Sequence, residues 1–413
     1  MIQRALENGI RHKKKTILNL LICCLTVILL NAYMGNIAGI KQQLLELPKV
    51  VKVDGVISNL NGTLSSGLKI KEQYIDGVMN SEYITDPVFS MQLKMGFGSF
   101  AWEDYPDKLN YYAAGITAVD GIPGFLEEEI IFGGIEEGME KDLDAREFFS
   151  SSERLCIVDE AVAKEQGVKL GEKIPLTIAY YRYGNGHEIF IEPLETEDYV
   201  VAGFMNMENY KGTGDKPDVI FPFETVRMVF HEAELEFFAD TGAFLVKDPY
   251  KLNELKQEMH DLQFMEVIPA AEYQYDGNAL IVRDETFIQA AEQLLRNEAL
   301  FTGMLPFMGI AILCIGYVTA SLLMRGRRAE YAIMRSLGQS YGSCFLTLCL
   351  EYGFTALAGC FAGSLCSLVF LKAGWQLMVS VTGAFMCCYV LGEGAALLPL
   401  RRLSVMTVLS KND

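Results

Sequence analysis

The hydrophobic positions of this chain are concentrated in four long apolar runs, one near the start and three near the end. The runs cover residues 16–34, 300–324, 345–371 and 375–398. Each is long enough to cross a hydrocarbon core of about 30 Å as a helix. None shows the polar face of a helix that packs on a water-soluble core. The pattern therefore predicts a membrane protein with four transmembrane α-helices in a 1+3 arrangement.

A polar segment, residues 35–299, separates the first run from the second. Apolar residues recur at helical spacing in residues 37–47, up to Pro48. They do so again in residues 284–299, which continue into the second run without an intervening Gly or Pro. We expect these two helices to rise from the membrane together as a stalk. The alternative is that both lie flat at the membrane interface.

Between the stalk helices the periodicity changes from one stretch to the next. Helical spacing occurs in residues 70–80 and 248–262, the second with Asp248 as N-cap and a proline at the first helical position. Runs rich in β-branched and aromatic residues predict strands at residues 50–53, 68–70, 173–181 and 199–204. The segment is thus predicted to be a large α+β extracytoplasmic domain between the first and second helices.

Basic residues flank the runs on one side only. They precede the first run and follow the second and fourth, whereas the turn between the third and fourth has only Lys372. Because Lys and Arg are retained on the cytoplasmic side, we expect a multi-pass plasma-membrane protein with both termini cytoplasmic and residues 35–299 outside. The first run could also be a cleaved signal peptide. It is long for one, and no small-x-small cleavage site follows it, so an uncleaved anchor is expected.

The two ends of the chain are predicted to lie at the cytoplasmic membrane surface. In residues 1–15, Ile2, Leu6 and Ile10 share one helical face, which is typical of an amphipathic helix lying along the interface. Residues 399–413 are predicted to be a cytoplasmic tail.

The formal charge of −18 is unevenly distributed along the chain. Residues 35–299 hold 48 acidic and 22 basic residues, a net charge of −26, and the remainder carries +8. The acidic domain argues against nucleic acid as a partner, and the basic cytoplasmic edge suits anionic membrane lipid. Nine of the ten cysteines lie in or beside the apolar runs. Cys156, alone in the polar segment, cannot form a disulfide within it.

The sequence lacks the motifs that would indicate catalysis. There is no G-x-x-x-x-G-K-[ST] loop for nucleotide phosphates, no H-E-x-x-H zinc motif and no G-x-S-x-G nucleophile elbow. The four histidines are scattered, and acidic clusters such as Glu127–Glu129 and Glu136-Glu137 lack the spacing of a calcium loop. We therefore expect no enzymatic activity, no metal and no cofactor in this chain.

Two acidic residues and a glycine pair stand out inside the apolar runs. Glu351 lies about six residues into the third run, at a depth of roughly 9 Å. A structural role near the interface is therefore favoured over a proton relay. Glu393, near the end of the fourth run, is interpreted in the same way. Gly359 and Gly363 form a G-x-x-x-G pattern, which predicts close packing between transmembrane helices.

The cytoplasmic loop, residues 325–344, begins with an arginine cluster and continues at helical spacing. Tyr331, Met334 and Leu337 recur on one face, and Gly338 offers a C-cap. A solvated connector needs no apolar face. We therefore expect this short helix to dock on the membrane or on a partner, rather than to be a plain basic connector.

Several stretches resemble the FtsX-like permeases of ABC transporters, in particular the MacB-type arrangement. RRAEYAIMRSLGQSYGSCFLTLCLEY resembles the family stretch E-[IY]-[AG]-[IV]-[LM]-[RK]-[AS]-[LI]-G, which follows a basic turn and leads to a Glu in the next span, here Glu351. LLPLRRLSVMTVLS resembles the family's closing segment, with Met406 near the place of its second proline. CIVDEAVAKEQGVKLGEKIPL resembles the strand–helix–G-x-x-x-G element of the family's outer domain, whereas residues 80–145 match poorly.

The resemblance implies a permease subunit of an ABC transporter. An FtsX-like permease domain is expected at about residues 300–409, and a MacB-like periplasmic core domain within residues 35–299. The subunit would form a dimer with itself or with a paralogous permease, and an ATPase subunit supplied in trans would provide its energy. The loop helix would be the coupling helix that contacts this ATPase. Its contact residues would be Arg328, Glu330, Ile333, Met334, Arg335, Leu337 and Gly338.

In this interpretation ATP binding would move the stalk and the outer domain, a mechanism called mechanotransmission. The movement would serve export or extraction of a substrate such as a peptide, a lipoprotein or an antibiotic. The alternative is a membrane-anchored signalling or binding module that regulates a cell-wall hydrolase or senses a ligand without moving cargo.

Overall fold

A computed structural model describes the chain in seven stretches, residues 13–133, 144–183, 189–207, 210–212, 215–325, 327–371 and 374–399. The chain divides into two compact units. The polar unit comprises residues 48–288, and the membrane unit comprises the residues up to 47 and from 289 onward. The predicted N-terminal amphipathic helix lies outside the described residues up to residue 12, and the predicted tail lies outside them from residue 400.

Eleven helices occur in the described residues. They are α1 (Lys13–Val50), α2 (Glu72–Asn80), α3 (Tyr105–Lys108), α4 (Ala145–Phe149), α5 (Glu160–Gln166), α6 (Phe223–Glu232), α7 (Leu252–Asp261), α8 (Glu285–Arg325), α9 (Arg328–Ser336), α10 (Tyr341–Leu371) and α11 (Trp375–Leu397). Of these, α1, α8, α10 and α11 are long and apolar enough to cross a membrane. One lies at the start of the chain and three at its end, as the apolar runs predicted.

The first two membrane-capable helices extend far beyond their apolar runs. α1 has 38 residues and α8 has 41, and neither is interrupted. Pro48 was expected to end α1, but the helix continues to Val50. A proline inside a helix removes one N–H donor and crowds the preceding turn, which favours the end of a helix nearby. Here α1 continues for two residues beyond Pro48 and then ends. The stretch predicted from residue 284 and the second apolar run form one continuous helix.

α1 and α8 contact each other within the membrane unit, both inside their apolar runs and beyond them. The Tyr33 hydroxyl donates a hydrogen bond to the Phe301 carbonyl at 2.6 Å, and the two rings meet edge to face with centroids 5.4 Å apart. Further along, the Lys41 ammonium lies 3.5 Å from a Glu298 carboxylate oxygen. The two helices are thus unbroken and in lateral contact within the membrane unit, and the stalk stays a prediction.

Twelve strands occur in the described residues, all in the polar unit. They are β1 (Asp54–Ser58), β2 (Ile70–Lys71), β3 (Ile84–Phe97), β4 (Tyr111–Ile116), β5 (Ile130–Phe132), β6 (Leu155–Asp159), β7 (Lys173–Tyr183), β8 (Ile189–Met205), β9 (Val219–Pro222), β10 (Phe238–Ala239), β11 (Thr241–Val246) and β12 (Ala279–Arg283). Ten of them form one sheet, in the order β12-β1-β11-β3-β4-β9-β6-β8-β5, with β7 pairing to β3 and β8. β2 and β10 pair separately.

The large sheet is mixed but mostly antiparallel. Only β4–β9 and β6–β8 are parallel pairs among the described strands. β1 and β12 pair over five residues, with Gly55 opposite Val282. These two strands stand next to the long helices in the chain: α1 ends at Val50 just before β1, and α8 begins at Glu285 just after β12.

Aromatic side chains fill much of the core beneath this sheet. On α6, Val226, Val229 and Phe230 recur at helical spacing and are all buried. The Phe230 ring meets that of Phe237 with centroids 5.6 Å apart, and Phe237 meets Phe223 at 5.2 Å. Burial of such large apolar side chains drives the folding of the polar unit in water.

Three local predictions in the polar segment were wrong in detail. The strand expected at residues 50–53 is absent, because α1 reaches Val50 and the first strand begins at Asp54. The strand expected at residues 68–70 is reduced to β2. Residues 249–251 form a separate 3₁₀ turn before α7. The predicted strands at residues 173–181 and 199–204 lie within β7 and β8.

Candidate functional site: the α9 connector

The connector between α8 and α10 is held as a helix by backbone hydrogen bonds at both ends. At its start the Tyr331 N–H donates to the Arg327 carbonyl at 3.0 Å. At its end Gly338 has a φ of +89°, and its N–H donates to the Arg335 carbonyl at 3.1 Å. Glycine adopts this left-handed conformation without steric cost, so the helix terminates there as its sequence predicted.

α9 has one face packed on the membrane unit and one face exposed. Tyr331 and Ala332 are buried, and Tyr331 packs in a cluster with Leu348 of α10. Ile333 is 50 % exposed and Leu337 is 79 % exposed. The apolar face expected at Tyr331, Met334 and Leu337 is therefore divided. Tyr331 anchors the helix, and the exposed apolar pair is Ile333 and Leu337, four residues apart.

A buried arginine joins α9 to α10. Arg327, immediately before α9, donates from Nε to Glu330 at 2.7 Å and from Nη1 to Glu351 at 2.5 Å. The side chains of Arg327 and Glu351 are only 5 % and 6 % exposed. Burial alone would lower the pKa of Arg327, but its hydrogen bond to Glu330 and the charge of Glu351 outweigh this and raise it. The guanidinium thus stays charged and holds two carboxylates; we call these three residues the Arg327 clamp.

The clamp explains the position of Glu351, which the sequence placed near the interface. Its Oε1 accepts from Arg327, whereas its Oε2 has no hydrogen-bond partner among the described residues. Arg327 itself was missed as a site residue, and the exposed Arg328 was chosen instead. Three arginines in four positions look alike in sequence. The distinguishing signal is an arginine directly before a helix with a glutamate three residues later, within side-chain reach.

The other predicted contact residues lie along the same short helix. Arg335 donates to the Gln339 carbonyl at 2.8 Å, which ties its guanidinium to the C-terminal turn. Met334 is half-buried and packs against the cluster around Tyr331. The exposed surface of α9 is therefore apolar at Ile333 and Leu337 and basic at Arg328.

Residues 303–404 match the profile of a family described as "FtsX-like permease C-terminal". The matched region includes α9, α10, α11 and the clamp. The match covers the C-terminal quarter of the chain, which thus carries an FtsX-like permease C-terminal domain. No curated protein matches the chain significantly.

Solved structures that are similar to part of this chain include two extracytoplasmic domains. One is the periplasmic region of MacB from Actinobacillus actinomycetemcomitans, with 12 % identity and a TM-score of 0.29, covering 60 % of this chain and 98 % of that one. The other is the extracellular domain of the noncanonic ABC-type transporter YknZ from Gram-positive bacteria. It has 12 % identity and a TM-score of 0.27, and covers 52 % of this chain and 92 % of that one. The family assignment depends on the C-terminal match.

Glycines bring the membrane-capable helices into backbone contact. A Cβ atom on Gly359 would lie 2.7 Å from the Leu20 carbonyl oxygen, and one on Gly363 would lie 2.7 Å from that of Cys24. The G-x-x-x-G pair of α10 thus packs on α1. A second contact joins α8 and α11, where a Cβ atom on Gly316 would lie 2.5 Å from the backbone carbonyl oxygen of Tyr389. Sequence inspection missed this contact because Gly316 and Tyr389 lie on different helices.

A buried hydrogen-bond network connects all four membrane-capable helices. The Tyr389 hydroxyl of α11 donates to Asn19 of α1 at 2.8 Å and lies 3.1 Å from the Thr319 hydroxyl of α8. The Asn19 amide in turn donates to Thr355 of α10 at 2.9 Å. Hydrogen bonds of this kind hold helices together where lipid offers no alternative partner.

The polar unit contains no comparable chemical site among its described residues. No group of three or more His, Cys, Asp or Glu side chains there has the geometry to hold a metal ion. Glu127–Glu129 form an exposed 3₁₀ turn, and Glu136-Glu137 lie outside the described residues. His231 is exposed and lies 3.2 Å from Glu72.

Proposed function

We propose that this protein is the permease subunit of an ABC transporter and that a separate ATPase subunit binds to α9. The observation that carries the proposal is the exposed apolar pair Ile333 and Leu337 on a helix that Arg327 fixes to the bundle. A pair so exposed on a surface helix is typical of a contact with a partner. The family match supports the permease, and α9 lies inside the matched region.

The proposed topology has four spans in a 1+3 arrangement with both termini in the cytoplasm. The basic residues before α1 and after α8 support this orientation. α9 would then face the cytoplasm, where an ATPase has access to ATP. The polar unit would be extracytoplasmic, and the basic edge of the bundle would lie among anionic lipid headgroups.

We infer that the energy reaches the polar unit by mechanotransmission. Movement of α9 would act on α10 through the Arg327–Glu351 ion pair, because two groups held by a buried charge pair move together. α1 and α8 are unbroken, and the chain passes directly from them into the paired strands β1 and β12. Continuous helices support transmission of displacement along the chain better than flexible linkers.

For the partners and the substrate we propose classes of molecule. The permease would form a dimer with a second copy or with a paralogue. The reason is that a pair of ATPase subunits normally requires two docking surfaces, one α9 helix from each permease. Substrates compatible with an acidic extracytoplasmic domain include peptides, lipoproteins and antibiotics.

The coupling proposal is tested by placing a charge on the exposed apolar pair. Burying a leucine on a partner contributes about 1.5–3 kcal/mol, so we expect Leu337→Asp to weaken ATPase binding roughly 10–100-fold. Ile333→Asp is expected to do the same, with the thermal stability of the chain retained. The measurement is stimulation of a co-purifying P-loop ATPase by the permease in lipid nanodiscs.

Ser336→Asp is the matched control, because it adds the same charge to an exposed position of α9 without removing an apolar side chain. It is expected to preserve stimulation. Normal stimulation by both Leu337→Asp and Ile333→Asp would refute the docking of the ATPase on α9. ATP-dependent movement of cargo in reconstituted vesicles would support transport, whereas activation of a cell-wall hydrolase without cargo would support the signalling module.

A further inference from the structure

Glu393 is a fully buried carboxyl residue of the membrane unit, near the end of α11. It lies on α11, four residues after Tyr389, and has 0 % of its surface exposed. Neither carboxylate oxygen has a hydrogen-bond partner among the described residues. No basic side chain of the described residues lies within 4.0 Å of it. Its surroundings therefore differ from those of Glu351, which is buried in the same bundle but is paired with Arg327.

The groups that face Glu393 are neutral at neutral pH. Those close enough to act on it electrostatically are the thiols of Cys23 on α1 and Cys349 on α10, and the phenols of Tyr352 on α10 and Tyr389 on α11. On the α8 side the adjacent Gly392 packs directly on backbone at Leu313 and Tyr317. None of these groups supplies a positive charge.

An isolated carboxylate in such surroundings is strongly disfavoured. Removing an unpaired ionised carboxylate from water costs several kcal/mol even after relaxation, and the group takes up a proton instead. A protonated carboxyl that lacks a partner costs much less, because only a neutral polar group is then buried. The packing around Glu393 therefore favours the protonated, neutral form of its carboxyl group.

We propose that Glu393 is a proton-binding site of the membrane unit, occupied when the four helices are packed as in this structure and vacated when water reaches α11. The proton leaves the carboxyl group for water, and the carboxylate remains hydrated. Because Gly392 and Tyr389 fix α11 on its neighbours, such opening must disrupt the Tyr389 hydrogen bonds. The packing equilibrium of the bundle is therefore linked to pH, independently of any ATPase partner.

The protonated acid is detected by infrared spectroscopy of the full chain in nanodiscs at neutral pH. We expect the carbonyl stretch of a buried carboxylic acid in the wild type and its loss in Glu393→Gln, which replaces the acid by a neutral group of the same size. Glu351→Gln is the matched control and should retain the band, because Glu351 is paired with the Arg327 guanidinium whereas Glu393 has no basic partner among the described residues. Asp240 in the polar unit also contributes to this region, so the assignment depends on the difference between variants.

Wild-type chain without a carboxylic-acid band at neutral pH would overturn the proposal, and this result needs no variant to fold. A carboxylic-acid band of the same intensity in wild type and Glu393→Gln would overturn it as well. The second measurement is the pH dependence of stability. Above the ordinary Glu pKa of about 4.3, and as long as Glu393 keeps its proton in the packed bundle, unfolding releases one proton from it. The wild-type folding constant should therefore fall by up to about tenfold per pH unit relative to Glu393→Gln in this range. A pH-independent difference between the two contradicts a bound proton.

Discussion

The polar unit and the membrane unit are stabilised internally by opposite arrangements of polar and apolar groups. The polar unit buries aromatic side chains such as Phe230 and Phe237, and in each of its described ion pairs at least one partner is partly exposed. The membrane unit places leucines and phenylalanines on its outside, for example Phe361 at 74 % exposed, and puts polar side chains within. Inside it, Asn19 and Tyr389 are 2 % and 0 % exposed.

The difference follows from the solvent that each unit meets. Water drives apolar surface inward, so the polar unit gains stability from its aromatic core. Lipid is as apolar as leucine and gives no such drive between helices. The membrane unit therefore depends on close backbone packing at glycine and on buried hydrogen bonds. A single change of charge or of one methyl group is expected to act very differently in the two units.

The largest contrast is expected between two arginines. Arg327→Ala would leave Glu351 buried and unpaired in the membrane unit and should cost about 3–5 kcal/mol of stability. Arg227→Ala removes an arginine that pairs with Glu72 and Asp76 in the polar unit, but there the partners are 32 % and 45 % exposed. Water can replace the lost partner, so the cost should be only about 1 kcal/mol.

Thermal unfolding of the two variants in nanodiscs measures this contrast. Arg328→Ala serves as the control, since Arg328 is exposed beside Arg327 and its removal should leave stability unchanged. Equal losses for Arg327→Ala and Arg227→Ala would show that the clamp is hydrated and that the comparison is wrong.

A smaller effect is expected from adding one methyl group to α10. In Gly359→Ala the new Cβ would lie 2.7 Å from the Leu20 carbonyl and 2.9 Å from the Cys23 Cβ, so α1 must shift. Overpacking of this kind costs about 1–3 kcal/mol. Gly353→Ala makes the same change on the same helix where nothing lies within 4 Å. It should be neutral or gain up to about 1 kcal/mol. The stability difference between these two variants tests whether backbone contact at glycine holds the unit.

The last expected effect concerns pH in the polar unit. Burial raises the pKa of Asp240 to about 7, against the hydrogen bond from the Gln92 N–H at 2.5 Å, which lowers it. Because the unfolded pKa is about 3.9, the folded state binds this proton more tightly. Its contribution to stability is present below pH ~4 and is lost as pH rises toward 7.

Asp240→Asn should abolish that part of the pH dependence. The measurement is the melting temperature of the polar unit between mildly acidic and neutral pH, compared between wild type and variant so that general acidic repulsion cancels. An unchanged pH profile in the variant would assign the dependence to other carboxylates.

The sequence predicted the membrane helices better than the sheet. A long apolar run indicates a membrane-spanning helix by its length and composition alone. The bounds of α10 and α11 therefore lie close to those of the apolar runs. β3, by contrast, is a 14-residue strand that was not predicted, because it pairs with β4, β7 and β11 and so mixes buried and exposed positions irregularly. Its partners are distant in sequence and no local pattern reveals them.

The candidate site shows the same limit at the level of single residues. Spacing predicted the α9 helix and its end at Gly338. It did not identify Arg327 as the buried arginine, since that depends on Glu351 in the next helix. Nor did it predict the contact of Gly316 with α11, because pairs of residues that meet only in the folded bundle leave no joint signal in one sequence.

The hydrogen bond between Asn19 and Tyr389 has a consequence for biosynthesis. Its two residues are 370 positions apart, on the first and last helices. At about 5–20 residues per second, roughly 20–70 s pass between synthesis of the two. During that time α1 has been made but lacks its partner, and Asn19 must be sheltered by the insertion machinery, by water at the membrane edge or by lipid headgroups. The protein therefore completes its membrane assembly only when its final helix arrives, long after the polar unit has left the ribosome.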